Sequence, residues 1–103
     1  MLFRSGDIEM ETGTRVVRRA KEKVELTVVE YDLLEKLLRA PGRIITREEL
    51  VKDVLHRNLS PFDRSIDMHV SNLRKKLGHQ VAGVERIKTV RGVGYIYAKS
   101  QES

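Results

Sequence analysis

The spacing of apolar positions changes rhythm three times along this 103-residue chain. Over residues 1–26 it is short. Asp7–Glu11, Arg15–Arg19 and Lys23–Leu26 each show some alternation of polar with apolar, and Thr12-Gly13-Thr14 and Ala20-Lys21-Glu22 separate them. Alternation with a period of two, broken by turn residues, predicts a small antiparallel sheet. From Thr27 the period lengthens. Thr27 and Glu30 have the T-x-x-E spacing of a capping box, and Leu33, Leu34, Leu37 and Leu38 follow on one helical face. Pro41-Gly42 stops this first helix. Ile44-Ile45 is long enough for one extended rung. Thr46 and Glu49 then repeat the capping pattern ahead of a second helix lined by Leu50, Val54 and Leu55. His56-Arg57-Asn58-Leu59 reads as a loop. A third helix is expected over about 61–77, with Ser60 as N-cap, Pro61 in the first helical position, Asp63 closing the box and Gly78 ending it. Finally Glu85–Val90 and Tyr95–Ala98 flank Arg91-Gly92-Val93-Gly94, which predicts a hairpin over 85–98. Strands, three helices and a hairpin make an α+β domain with segregated strands.

Composition narrows the possibilities. The length suits one domain, read as spanning 1–103, and 40% hydrophobic residues suffice for one modest core. The chain has no cysteine, so disulfides and thiolate metal sites are excluded. His56, His69 and His79 show no ligand spacing. Neither a metal nor a cofactor is expected. No apolar run approaches the roughly 20 residues of a membrane span, and Met1–Gly6 has no signal-peptide core.

Charge is distributed unevenly. The net charge is +5, and residues 56–103 hold nine Lys/Arg against four Asp/Glu, so the whole excess sits in the C-terminal half. A basic surface confined to one part of a small domain suits a polyanionic partner, although a merely solubilising face would look the same.

The third helix concentrates this chemistry. At 100° per residue, Phe62, Val70, Leu73 and Leu77 fall within about 40° of Ile66 and form the core stripe. The opposite face carries Arg64, Met68, Ser71 and Lys75, with Ser65 and Asn72 beside them. Arg, Asn and Ser can read base edges in a major groove, and Met68 could bury its apolar surface on a thymine methyl. Arg74, Lys75 and Lys76 lie where phosphates could be met. Asp67, about 100° from the core direction, is read as a structural or ion-pair residue. Most charged helix faces meet only water. Here, however, a capped helix precedes this one at short range and a basic hairpin follows. Lys88, Thr89 and Arg91 approach the Gly-x-Gly turn, and an arginine at a narrow tip can enter a minor groove. Helix, loop, basic helix and basic hairpin are the parts of a winged helix-turn-helix.

Asp63–Leu77 resembles the recognition helix of the OmpR/PhoB response regulators, and Ile87–Tyr95 resembles that family's wing. Leu26-Thr27-x-x-Glu30-Tyr31-x-Leu33-Leu34 and Gly42-Arg43-x-Ile45-x-Arg47-Glu48-x-Leu50 resemble its first two helices. The Pro61–Arg64 opening and the Ser71-Asn72 pair are most similar to CpxR-type regulators. The resemblance implies a four-stranded N-terminal sheet and cytoplasmic, sequence-specific binding of double-stranded promoter DNA at direct repeats, head to tail. It implies base reading by Arg64, Ser65, Met68, Ser71 and Asn72. Phosphate contacts would come from Arg47, Arg74 and Thr89, with Lys75 added by its place on the helix, and a minor-groove contact from Arg91. The loop His56, Arg57, Asn58, Leu59 and Ser60 corresponds to a segment that faces RNA polymerase. Ser71 and Asn72 stand where some members carry arginines, so the preferred sequence should differ from theirs. Leu55 stands where some carry tryptophan.

Such regulators place a phosphorylatable receiver domain before this one, through which a sensor kinase acts. The chain is too short to hold both and is expected to be the effector part alone, binding weakly as a monomer. Two rival readings remain at this level. One is a winged helix that binds protein and never DNA. The other is an enzyme using Glu48-Glu49, which Glu49's place in a capping box disfavours. No enzymatic activity is expected.

Overall fold

The computed structural model of the chain describes residues 1–61, 63–78, 80–81 and 84–99. Phe62, expected in the core stripe of the third helix, and His79 lie outside the described residues.

The N-terminal sheet has four antiparallel strands in sequential order: β1 (Leu2–Ser5), β2 (Ile8–Glu11), β3 (Val16–Arg19) and β4 (Glu22–Val24). Ile8, Met10 and Val17 point inward and are buried. Ala20 and Lys21 both adopt positive φ (50° and 71°), so the β3–β4 turn has two residues and Glu22 already pairs with Arg19.

Helix α1 (Val28–Leu38) begins at the expected capping box. Thr27 Oγ1 accepts from the Glu30 amide at 3.2 Å, and the Glu30 carboxylate accepts from the Thr27 amide at 3.0 Å. Leu33, Leu34, Leu37 and Leu38 are buried. Glu30 is buried too, and Lys76 neutralises it from 46 residues away at 2.5 Å.

Strand β5 (Ile44–Thr46) leads into α2 (Arg47–Leu50), which widens into one π-helical stretch over Val51–Leu55. Only half of the second capping box forms. Thr46 Oγ1 accepts from the Glu49 amide at 3.0 Å, but the Glu49 carboxylate turns to Arg43 (2.9 Å) and Lys36 (3.1 Å). Two cations compete better for a carboxylate than a neutral amide does. The apolar side of this element is Leu50, Val51 and Val54, while Leu55 is half-buried.

Helix α3 spans Ser65–Leu77, four residues shorter at its start than the sequence suggests. The Ser60/Asp63 box is replaced by a turn in which the Asp63 amide donates to the Ser60 carbonyl at 3.1 Å. Asp63 instead accepts from the Ser65 amide (3.0 Å) and hydroxyl (2.6 Å). A charged acceptor satisfying the first helical amide defines the start. Arg64 therefore occupies the N-cap position.

The tail also divides differently. Val84–Glu85 (β7) pairs with Gln80–Val81 (β6) in a separate ribbon, so the wing is β8 (Ile87–Val90) and β9 (Gly94–Tyr97). The three-stranded sheet has the order β5-β9-β8, which fastens the wing to the strand before α2. Arg91–Val93 forms the wing tip, closed by the Val93 amide on the Val90 carbonyl at 2.9 Å. Gly92 takes φ 74° there, a conformation that favours glycine. Gly94 is a strand residue rather than part of the turn. α1, α2 and the underside of α3 close one core with both sheets.

Candidate nucleic-acid interface

The underside of α3 is fixed and its outer face is open. Ile66, Val70, Leu73 and Leu77 are at most 1% exposed. Arg64, Ser71, Asn72 and Lys75 are exposed, and Met68 is 66% exposed. The side chains of Arg64, Ser71, Asn72 and Lys75 are in no hydrogen bond or ion pair among the described residues. Such donors are available to an outside partner at little internal cost. Met68 leaves apolar surface in water at the centre of this face.

Beside this face stands the wing, and between them runs a cleft of about 360 Å³. Arg47, Asp63, Arg64 and Asp67 line one wall. Thr89, Val90, Arg91, Gly94 and Tyr95 line the other. Arg91 is exposed at the wing tip and, among the described residues, unpaired.

The remaining expected contacts are engaged internally. Arg47 Nη2 donates to the Asp67 carboxylate (2.8 Å) and to the Asp63 carbonyl (2.6 Å). Arg74 donates to the Ile87 carbonyl (2.7 Å) and to Thr89 Oγ1 (2.8 Å), and its guanidinium lies 5.6 Å from the Tyr95 ring centroid. Ser65 is half-buried, and its hydroxyl is shared between Asp63 and Arg57 Nη2 (2.7 Å). The hydrogen bonds from Ser65, joined by Arg57, hold the Asp63 carboxyl below the usual carboxylate range. Lys76, expected near phosphates, is turned away onto Glu30 and leaves this face.

In the loop before α3, His56 takes a left-handed φ of 59°, and His56, Asn58 and Ser60 are exposed. Leu59 packs against the core, and Arg57 folds back onto Asp63 at 3.0 Å.

Two residues that carry the geometry were not singled out from the sequence for this role. Tyr95 donates its hydroxyl to Asp67, and burial, followed by this hydrogen bond, pushes the phenol up to about 12. Arg86 is fully buried and joins the Asp7 carboxylate (2.8 Å) to the Gly78 carbonyl (3.2 Å) at the end of α3. Of the structural and ion-pair roles expected for Asp67, it takes the ion pair, with Arg47 as its partner.

The family model for "Transcriptional regulatory protein, C terminal" matches residues 21–97, three-quarters of the chain. The chain belongs to this family. The transcriptional regulatory protein CpxR of Klebsiella pneumoniae is 47% identical over 89 residues, which are 86% of this chain and 38% of that protein. The crystal structure of the DNA-binding domain of CpxR from Escherichia coli superposes with a TM-score of 0.91 at 35% identity, covering 97% of this chain and 98% of that one. The Klebsiella pneumoniae RstA DNA-binding domain, solved in complex with the RstA box, gives a TM-score of 0.86 at 34% identity, covering 94% and 96%. The fold of this family member is a winged helix. The chain spans just over a third of the length of its CpxR relative. Among the described residues no helix is long and apolar enough to cross a membrane.

Proposed function

We propose that this chain binds double-stranded promoter DNA sequence-specifically, as the effector part of a cytoplasmic two-component response regulator of the OmpR/PhoB type. The observation that carries this reading is the unengaged polar face of α3 standing across a cleft from the cationic wing tip. A major groove admits a helix of this kind, and the adjacent minor groove admits a wing arginine. In this reading Arg64, Met68, Ser71 and Asn72 meet base edges, and Ser65 does so only together with its Asp63–Arg57 cluster. Lys75 meets phosphate directly. Arg47, Arg74 and Thr89 present phosphate donors that are already held in place.

The full regulator adds a receiver domain that answers a sensor kinase, and two effector domains occupy direct repeats head to tail. The loop His56–Ser60 faces RNA polymerase. Catalysis forms no part of this proposal. The CpxR and RstA relatives support it, since one is described as a DNA-binding domain and the other was solved on its DNA box.

Selection of bound sites from random duplexes, followed by binding against salt, tests the reading. A recurrent sequence should emerge, and log affinity should fall against log salt by roughly 0.9 per phosphate neutralised. Failure to enrich any sequence, with salt-insensitive or absent binding, would favour a protein-binding winged helix instead.

Two substitutions separate the roles. Arg64→Ala should cost about 1–3 kcal/mol on the selected duplex and relax preference at one base position. Equal weakening on all sequences would remove Arg64 from base reading. Arg91→Ala should weaken binding most where the flanking minor groove is a narrow A·T tract. A loss that ignores A·T content, measured on paired duplexes, would rule out wing insertion.

A further inference from the structure

Within the cleft, the carboxylate of Asp67 joins three parts of the fold. It lies on the first turn of α3 and accepts from Arg47 Nη2 at 2.8 Å, at the start of α2. It also accepts from the Tyr95 hydroxyl on β9 of the wing. The Arg47 amide donates to the Val93 carbonyl at the wing tip at 3.1 Å, so Arg47 is held at both ends. Arg47 Nε is buried without a partner among the described residues, and its side chain is 31% exposed, so the guanidinium is held in one place without being sealed off. On the far side of Tyr95, Arg74 lies over the ring and donates to β8.

A carboxylate on a DNA-facing wall is unfavourable by itself, because it repels phosphate. Here its two donors offset that repulsion and gain fixed positions in return. Charge-assisted hydrogen bonds of this kind are stronger than neutral ones and impose geometry.

We propose that Asp67 is a positioning residue of the interface: it aims Arg47 into the cleft and fixes the wing at a set distance from α3, so that helix and wing engage adjacent grooves together. This rests on the DNA-binding reading above, but its geometric half does not need DNA. Asp67 contributes no base contact. It sets specificity by making the contacts of α3 and Arg91 simultaneous.

Asp67→Asn tests this in the whole chain, with Tyr95→Phe as a milder second variant that deletes one hydroxyl. In the free protein, amide order parameters of Arg91–Val93 should fall from the rigid range near about 0.85 toward about 0.6, and the Arg47 amide signal should move. On DNA, the selected duplex should lose about tenfold or more in affinity, the scale of a charge-assisted hydrogen bond. A scrambled duplex should bind as well as before or better, because a negative charge is gone. The ratio of the two affinities therefore collapses. Tighter binding to both duplexes alike would reduce Asp67 to a local charge. Equal loss on both, tracking the loss of melting temperature, would reduce it to a stabilising residue. Unchanged wing order in both variants would overturn the proposal outright. If the parent chain binds no duplex, the DNA reading fails, and the wing-order measurement still decides the clamp.

Discussion

Gly94→Ala should destabilise the fold by about 3 kcal/mol, the upper end of overpacking costs. A Cβ at this position would strike the Ile45 carbonyl oxygen and come within 2.8 Å of Thr46 Cα and 2.9 Å of the Ile45 carbonyl carbon. All three are backbone atoms of β5, so no rotamer change relieves the clash. The only release is separation of β9 from β5, and that strand pair fastens the wing to the start of α2. For a domain of this size such a loss lowers the melting temperature by roughly 12–20 °C. Gly92→Ala is the control. Among the described residues nothing lies within 4 Å of a Cβ there, but its φ of 74° is left-handed, so the cost should be only about 1 kcal/mol. Thermal melts followed by circular dichroism compare them. A Gly94→Ala melt no lower than that of Gly92→Ala would mean the two strands are not so closely apposed.

The second large effect is an asymmetry within one ion pair. Arg86 is 1% exposed, and among the described residues its Nη2 has no hydrogen-bond partner, so its charge depends on Asp7 and on the Gly78 carbonyl. Asp7→Ala leaves that cation buried and uncompensated, which should cost about 3 kcal/mol; the 29% exposure of the Asp7 side chain keeps the loss at the low end of the usual range. Arg86→Met should cost about 1 kcal/mol or less, because a buried charge is replaced by an apolar chain and Asp7 retains Arg19 at 3.4 Å. Urea unfolding of both variants measures the difference, and equal losses would contradict it. Acid adds a signature. Burial opposes the charge on Asp7, but the hydrogen bond and charge of Arg86, helped by Arg19, outweigh it and hold the carboxyl below its ordinary value. A carboxylate lowered on folding stabilises the fold above its unfolded value, about 4, and loses that contribution as pH falls through the folded value. The parent chain should therefore lose more stability than Asp7→Ala between about pH 5 and pH 2. Parallel curves would mean that Asp7 is not paired as described.

What could be read from the sequence was mostly local. The Thr27–Glu30 box is a four-residue signal, and it forms in full. The leucines of α1 and the Ile66, Val70, Leu73 and Leu77 stripe depend only on helical period, and all are buried. Where two local signals compete, the sequence is ambiguous. Ser60-Pro61 offered one start for α3, and Asp63 chose another by capping Ser65. Strand β1 has four residues at a sheet edge and too little alternation to read; only the family resemblance implied a fourth strand. Couplings across the chain leave no local trace. Glu30 gives no hint of Lys76, nor Asp7 of Arg86 79 residues away, so the sequence assigned Lys76 to the wrong face. The outer face of α3 was legible because it is the complement of the core stripe. Which of its cations are unengaged was not, because that depends on where Ile87, Thr89 and Asp67 arrive in space.

The most direct test is a titration of the isotopically labelled chain with its selected duplex, followed by amide chemical shifts at stated salt. Shifts should concentrate on Arg64–Lys75 and on Arg91, with β1 through β4 nearly still. If the signals of Arg64–Lys75 and Arg91 stay unmoved at saturating duplex, α3 and the wing are not the nucleic-acid interface.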